Sequence, residues 1–459
     1  MRAPDTTTDR PPPGTDRDGP PPGTVDPTGL LSRRGLLRLG AVGAAGAVLG
    51  TAACGATTPG PEAMTSRGPI TVWYSNNAQE VVWGEAVVAS WNAAHPDQHV
   101  TAQEIPSAQS SEEVVGAAIT AGTAPGVVLN MSPASVPQYV RQGGLVALSD
   151  FPDGDAYILA RTGARAAQSR GTDGKYYQLP WKSNPVALFY NRSLLAKAGI
   201  DAKAPPLATY DQFLTASRRI VSSGVAQYAI WPPPTSEWYS SLTDFYPMYA
   251  AATGGTQLIR DRHTTYDSAA GRALAAFWRT AYAEKLASVE VTTLDTFAVG
   301  QAAMALVGPW AVASYKGKVD WGAVRVPTPH GTAADKVWTY SDAKNIAVFA
   351  ACPHRATAWD FAKYATSPAS DSALLQATGQ FPLRTDVART YAGYVAKNPS
   401  YGLFAEQADR TTDVPSVVNG IQVWQTFRDD WSRAVLFGRG SVDAALAQSA
   451  RQIDGLVTA

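Results

Sequence analysis

Several loops of this 459-residue chain carry side chains suited to non-covalent recognition. The run Trp231-Pro232-Pro233-Pro234-Thr235-Ser236-Glu237-Trp238-Tyr239 stiffens a loop with prolines and places Glu237 among three aromatic rings. Trp181 follows Pro180 and precedes Lys182, Ser183 and Asn184, while Trp310 begins the segment after Gly308-Pro309. Aromatic rings offer broad apolar faces, and carboxylates, amides and guanidinium groups offer directional partners at their edges. Polar candidates stand next to apparent strands: Asn76 and Asn77 after 70–74, and Asn130 and Ser132 after 127–129. Asp342, Lys344 and Asn345 precede 346–349, and Arg384 follows Pro382. Each polar residue has an ordinary alternative as a turn residue or helix cap, and Asp342 with Lys344 as a surface ion pair. Burial between elements is the alternative for Trp181, Trp231, Trp238, Tyr239 and Trp310. Trp83, Trp91, Trp278 and Trp359 lie at helical core spacing and read as packing.

Bond-breaking chemistry finds less support. No Gly-x-Ser-x-Gly elbow appears beyond the N-terminal region. The five histidines are scattered without zinc spacing, so no metal or other cofactor is expected. A hydrolase would need two carboxylates flanking a bond, and Glu237 and Asp244 keep that alternative open.

The elements that must position these loops alternate. Runs of β-branched and aromatic residues at 70–74, 100–105, 127–129, 186–190, 304–307 and 346–349 read as strands. Helical spacing fills 79–94, 112–121, 210–221 and 267–283, and the chain beyond 356 reads as mostly helical. That alternation predicts an α/β fold with helices covering the sheets.

The first 53 residues do not belong to that fold. Residues 1–31 are rich in Pro, Gly, Thr, Asp and Arg and have too few apolar side chains to offset the entropy of ordering. Arg33-Arg34 then precede a weakly apolar stretch at 39–53, the pattern of a twin-arginine export signal. At 15 residues it is shorter than the roughly 20 that a membrane-spanning helix needs. Thr51-Ala52-Ala53-Cys54-Gly55 resembles the lipobox of bacterial lipoproteins, with Thr51 where Leu is usual; Cys54 is thus the expected lipidation site. A tether is expected over 54–68. Lipidation of Cys54 leaves Cys352 without a disulfide partner. Beyond residue 53 the chain holds 32 basic and 33 acidic residues, a balance that makes nucleic acid an unlikely partner.

The ordered set of motifs resembles one family. Phe297 to Trp310, with Gly300, Met304 and Gly308-Pro309-Trp310, then Asp320-Trp321-Gly322 and Val326-Pro327-Thr328, is similar to the extracellular solute-binding proteins of ABC importers, in the sugar-binding branch that includes maltose-binding proteins. Gln178-Leu179-Pro180-Trp181, Trp359 to Thr366, and Gly379-Gln380-Phe381-Pro382-Leu383-Arg384 match in the same order. The resemblance implies a type II periplasmic-binding-protein-like fold, two α/β lobes joined by a multi-strand hinge. It divides the chain into 69–184 with 327–366 and 185–326 with 367–459, with crossings near 184–186, 325–327 and 366–368. It implies a carbohydrate ligand, an oligosaccharide in the first instance, and ABC permease subunits as partners. The chain would then be a monomer held at the extracellular face of the cytoplasmic membrane. Trp310 and Arg384 stand where the family places ligand-contacting residues. Asn76, Asn130, Trp181, Trp231, Glu237, Trp238 and Asp342 complete the expected site. A binding protein for a non-sugar solute is the remaining alternative.

Overall fold

The computed structural model describes residues 60–458 apart from 76, 107–109, 232–234, 236 and 293. The leader, Cys54, Asn76 and the prolines of the aromatic loop lie outside the described residues. In chain order the strands are β1 (Ile70–Tyr74), β2 (Val100–Glu104), β3 (Val127–Met131), β4 (Leu179–Ser183), β5 (Ala187–Asn191), β6 (Tyr228–Trp231) and β7 (Ile259–Arg260). They continue with β8 (His263–Thr264), β9 (Ala302–Val307), β10 (Trp321–Val324), β11 (Thr339–Tyr340), β12 (Lys344–Val348), β13 (Phe381–Pro382) and β14 (Thr411–Thr412).

Two sheets organise the molecule. A six-stranded sheet runs β13-β4-β12-β3-β1-β2, and a four-stranded sheet runs β10-β5-β9-β6. β1 pairs in parallel with β2 and β3, whereas β12 runs antiparallel between β3 and β4. In the second sheet β6 is parallel to β9, and β5 is antiparallel to both β9 and β10. Buried apolar residues cover both faces of each sheet, which explains near-continuous burial along β3, β4 and β9.

Local signals fix the helices. Asn77 caps Ala78–Ala94, its side-chain oxygen accepting from the Gln79 and Glu80 N–H groups. Thr209 and Ser268 cap Tyr210–Ser222 and Ala269–Ala283 in the same way. Trp83 and Trp91 from the first helix, and Trp359 from Arg355–Ala365, enter one core on the six-stranded sheet. Trp278 enters the core of the four-stranded sheet.

The chain passes between the sheets where β4 gives way to β5, across 184–186. Two further segments lie alongside. The Val186 N–H donates to the Tyr340 carbonyl at 2.9 Å, Ser341 N–H to the Thr412 carbonyl at 3.2 Å, and Thr339 N–H to the Arg410 carbonyl at 3.1 Å. β11 and β14 pair in parallel within this strap. The molecule is thus two α/β lobes joined by a multi-strand hinge.

Three expectations are revised here. Thr328 bridges to Thr209 at the start of helix Tyr210–Ser222, so the chain stays with the four-stranded sheet past 325–327. Helix Pro368–Thr378 and β13 stay with the six-stranded sheet, so the chain does not change sheets at 366–368. Nor is the end of the expected tether free: the Ser66 hydroxyl meets His354 Nδ1 at 2.8 Å, Arg67 pairs with Asp360, Gly68 N–H donates to Thr357 Oγ1, and Ala63 is buried.

Candidate functional site

Strand directions bring two edges face to face. The carboxyl ends of β1, β3 and β4 and the amino ends of β12 and β13 share one edge of the six-stranded sheet. The carboxyl ends of β6 and β9 and the amino end of β5 share one edge of the other sheet. Because only 184–186 separate β4 from β5, these edges flank the hinge, where α/β sheets place ligands.

On the first edge Asn130 adopts a left-handed conformation, φ 66°. It coincides with a register shift between β3 and β12, so a bulge turns the strand end out of the sheet. Asparagine tolerates this conformation better than most residues, and strain of this kind tends to gather at functional sites. Next to it the Lys344 ammonium pairs with Asp342 Oδ1 at 2.9 Å, each side chain about one-fifth exposed. Burial disfavours the Lys344 charge, but Asp342, Glu112 and Glu80 outweigh it and raise its pKa above the ordinary value.

On the second edge Trp231 ends β6 and is half-buried. Trp310 is also half-buried, packing against cores on both sheet faces. A Cβ on Gly308 would lie 1.9 Å from the Trp310 ring, so the glycine makes room for that ring. Glu237 is half-buried, and Tyr239 is 42% exposed. The Tyr239 hydroxyl is raised by burial, by Glu237 and by Glu112. Glu112 lies in the first turn of helix Ser111–Ala121, on the other lobe. Its carboxylate thus shares in raising both the Tyr239 and the Lys344 pKa, behind burial and Glu237 at Tyr239.

The lobes also touch directly. Arg141 Nη2 donates to Asn419 Oδ1 at 3.2 Å, and a Cβ on Gly420 would lie 2.5 Å from the Ala134 carbonyl oxygen.

The structure thus gathers Asn130, Asp342, Trp231, Glu237 and Trp310 at the facing edges. It places three other expected residues differently. Trp181 is 1% exposed, since strand alternation in β4 turns it into the core against Trp83, with ring centroids 5.3 Å apart. Trp238 is 6% exposed and packed in the core, leaving Tyr239 as the open ring. Arg384 bonds Asp371 through Nε, and its Nη2 donates to the Thr366 carbonyl at 2.8 Å. β13 runs away from the edge, so residue 384 is carried toward the far end of β4. Asp244, one carboxylate of the hydrolase alternative, is buried and paired with Arg428 at 2.6 Å.

Sequence reasoning missed Glu112, Glu80 and the role of Lys182. The buried Lys182 ammonium meets Glu80 Oε1, which also accepts from Gln380 Nε2 at 2.6 Å. Gln380 Oε1 in turn accepts from Asn184 Nδ2 at 2.9 Å, linking this network to the hinge. A lysine beside a predicted crossing was the available signal for it; Glu112 gave only a helix-start pattern. Among the described residues no cluster of His, Cys, Asp and Glu could hold a metal ion.

Comparison with known proteins agrees with this architecture. The family of bacterial extracellular solute-binding proteins matches residues 81–402. The maltodextrin-binding protein MdxE of Bacillus subtilis is 27% identical over 325 residues, covering 66% of this chain and 71% of that protein. A maltotriose-binding protein of Pyrococcus abyssi is 21% identical, covering 71% of this chain and 69% of its own length. Among solved structures, the GacH receptor of Streptomyces glaucescens superposes with a TM-score of 0.73 at 23% identity, over 85% of this chain and 99% of that one. With its sheet order, hinge and matched span, the chain belongs to the bacterial extracellular solute-binding protein family.

Proposed function

We propose that this protein captures an oligosaccharide between its lobes and presents it to the permease of an ABC importer. The observation that carries the reading is the convergence at one hinge-flanked cleft of half-buried aromatic rings, Trp231 and Trp310, with Asn130 and the Asp342–Lys344 pair. A sugar ring has apolar C–H faces and a hydroxyl rim, and this combination suits both. Relatives named for binding maltodextrin and maltotriose favour an α-glucan as the ligand. Lobe closure about 184–186, 339–342 and 410–413 excludes water and marks the loaded state. The reading includes no bond chemistry. It also includes a lipid on Cys54 that holds the protein, as a monomer, at the extracellular face of the cytoplasmic membrane; the support for both is the sequence pattern. Intrinsic tryptophan fluorescence titrated with mono- to oligosaccharides tests the claim. Saturable change with α-glucans is expected, and silence across the panel refutes carbohydrate binding while leaving solute binding of another class.

A further inference from the structure

The aromatic loop after β6 is held from behind by one buried guanidinium. Arg428, on helix Gly420–Trp431, is fully buried. Its Nη1 donates to Asp244 Oδ2 at 2.6 Å and its Nε to the Thr235 carbonyl at 2.8 Å. Thr235 lies in the loop, and Asp244 closes the short helix Ser241–Asp244 that follows it. One side chain therefore clamps both ends of the 235–244 segment.

Described residues between those points bond to one another. Glu237 N–H donates to Thr235 Oγ1 at 3.2 Å, Thr235 N–H to Ser240 Oγ at 3.4 Å, and Ser240 N–H to the Glu237 carbonyl at 3.1 Å. Trp238 is anchored in the core beside the helix that carries Arg428, and Tyr239 meets it edge-on with centroids 6.0 Å apart. Moving the Thr235 carbonyl would move Glu237 and Tyr239 with it.

The pair is poorly built for stability alone. Arg428 Nη2 and Asp244 Oδ1 have no hydrogen-bond partner among the described residues. A buried pair left partly unsatisfied gives little over apolar side chains of similar volume. What apolar side chains cannot supply is a charged donor to the Thr235 carbonyl.

We infer that Arg428, oriented by Asp244, is a positioning residue that sets Glu237 and Tyr239 at the cleft. The inference rests on the proposed reading of this cleft as the solute site. The deciding variant is Asp244→Leu with Arg428→Met, which removes both charges and keeps the volume. It should remain folded, lose at least tenfold in affinity for maltotriose or a maltodextrin mixture, and show faster hydrogen exchange at the Glu237 and Ser240 amides. Arg428→Lys, which keeps a charge beside Asp244 but not the fork that reaches both partners, serves if the double variant does not fold. Tyr157→Phe, which removes a hydroxyl contact with Thr366 on the lobe of the six-stranded sheet, controls for stability loss and should leave affinity unchanged. Affinity within twofold of wild type in a folded Arg428 variant overturns the inference, as does unchanged exchange at those amides. If the wild-type protein binds none of the glycans, the functional reading fails, and the exchange rates still judge the positioning.

Discussion

Replacing Lys182 by methionine tests whether the network at the cleft floor is held by charge. Lys182 and Glu80 are both almost fully buried, and among the described residues the other group bonded to the Glu80 carboxylate is the Gln380 amide. Lys182→Met leaves an unpaired carboxylate in the interior. Breaking a buried pair in this way costs about 3–5 kcal/mol. At roughly 2–4 °C per kcal/mol for a lobe-sized unit, Tm should fall on the order of 10 °C. The double variant Glu80→Leu with Lys182→Met removes both charges and should recover most of the loss. Urea unfolding measures the cost, and Trp181, whose ring lies 4.4 Å from the Lys182 ammonium, reports the local change by fluorescence. A single-variant cost below about 1 kcal/mol, or a double variant less stable than the single, refutes the reasoning.

Other substitutions separate binding from packing. Trp310→Ala should weaken α-glucan binding by tenfold or more in a calorimetric titration, whereas Arg384→Ala should leave affinity unchanged and cost about 1–3 kcal/mol of stability through its lost bonds to Asp371 and the Thr366 carbonyl, Asp371 keeping its pair with Arg161. Trp181→Phe should lower Tm with no change in affinity, since its ring is core. Asp413, beside the hinge, has its carboxyl pushed up to about 6 by desolvation, with Arg165 opposing and Asp342 adding. Its folded pKa exceeds the unfolded value, so the stability it contributes is present below pH 4 and lost as the pH rises through 6. Asp413→Asn should accordingly raise stability by about 1–3 kcal/mol at pH 8 and by nothing at pH 3, read from denaturant midpoints. Cys54→Ala should abolish incorporation of labelled fatty acid.

Much of the fold was legible because its strands are short β-branched runs between helices with ordinary caps. β1, β3, β5 and β9 lie within a few residues of their expected spans. The hinge was not, because β11 and β14 are two-residue strands without periodicity. The resemblance implied crossings near 325–327 and 366–368, but Pro368 begins a helix, a position proline favours, and Pro327 precedes a bridge to Thr209. The site divided the same way. Trp231, Trp310 and Asn130 follow from strand ends, which a sequence marks. Trp181, Trp238 and Arg384 depend on which way a side chain points, which only strand alternation and direction decide. The Glu80–Lys182 pair spans 102 positions and leaves no local trace.

The central claim is that one cleft between the lobes binds an intact oligosaccharide. Isothermal titration of the purified protein with maltotriose and longer α-glucans, followed by mass spectrometry of the recovered glycan, tests it most directly. The account predicts saturable binding at one site per chain, weakened by Trp310→Ala, with the glycan recovered unchanged. Absence of heat across the series, binding indifferent to Trp310, or recovery of shortened products would contradict it.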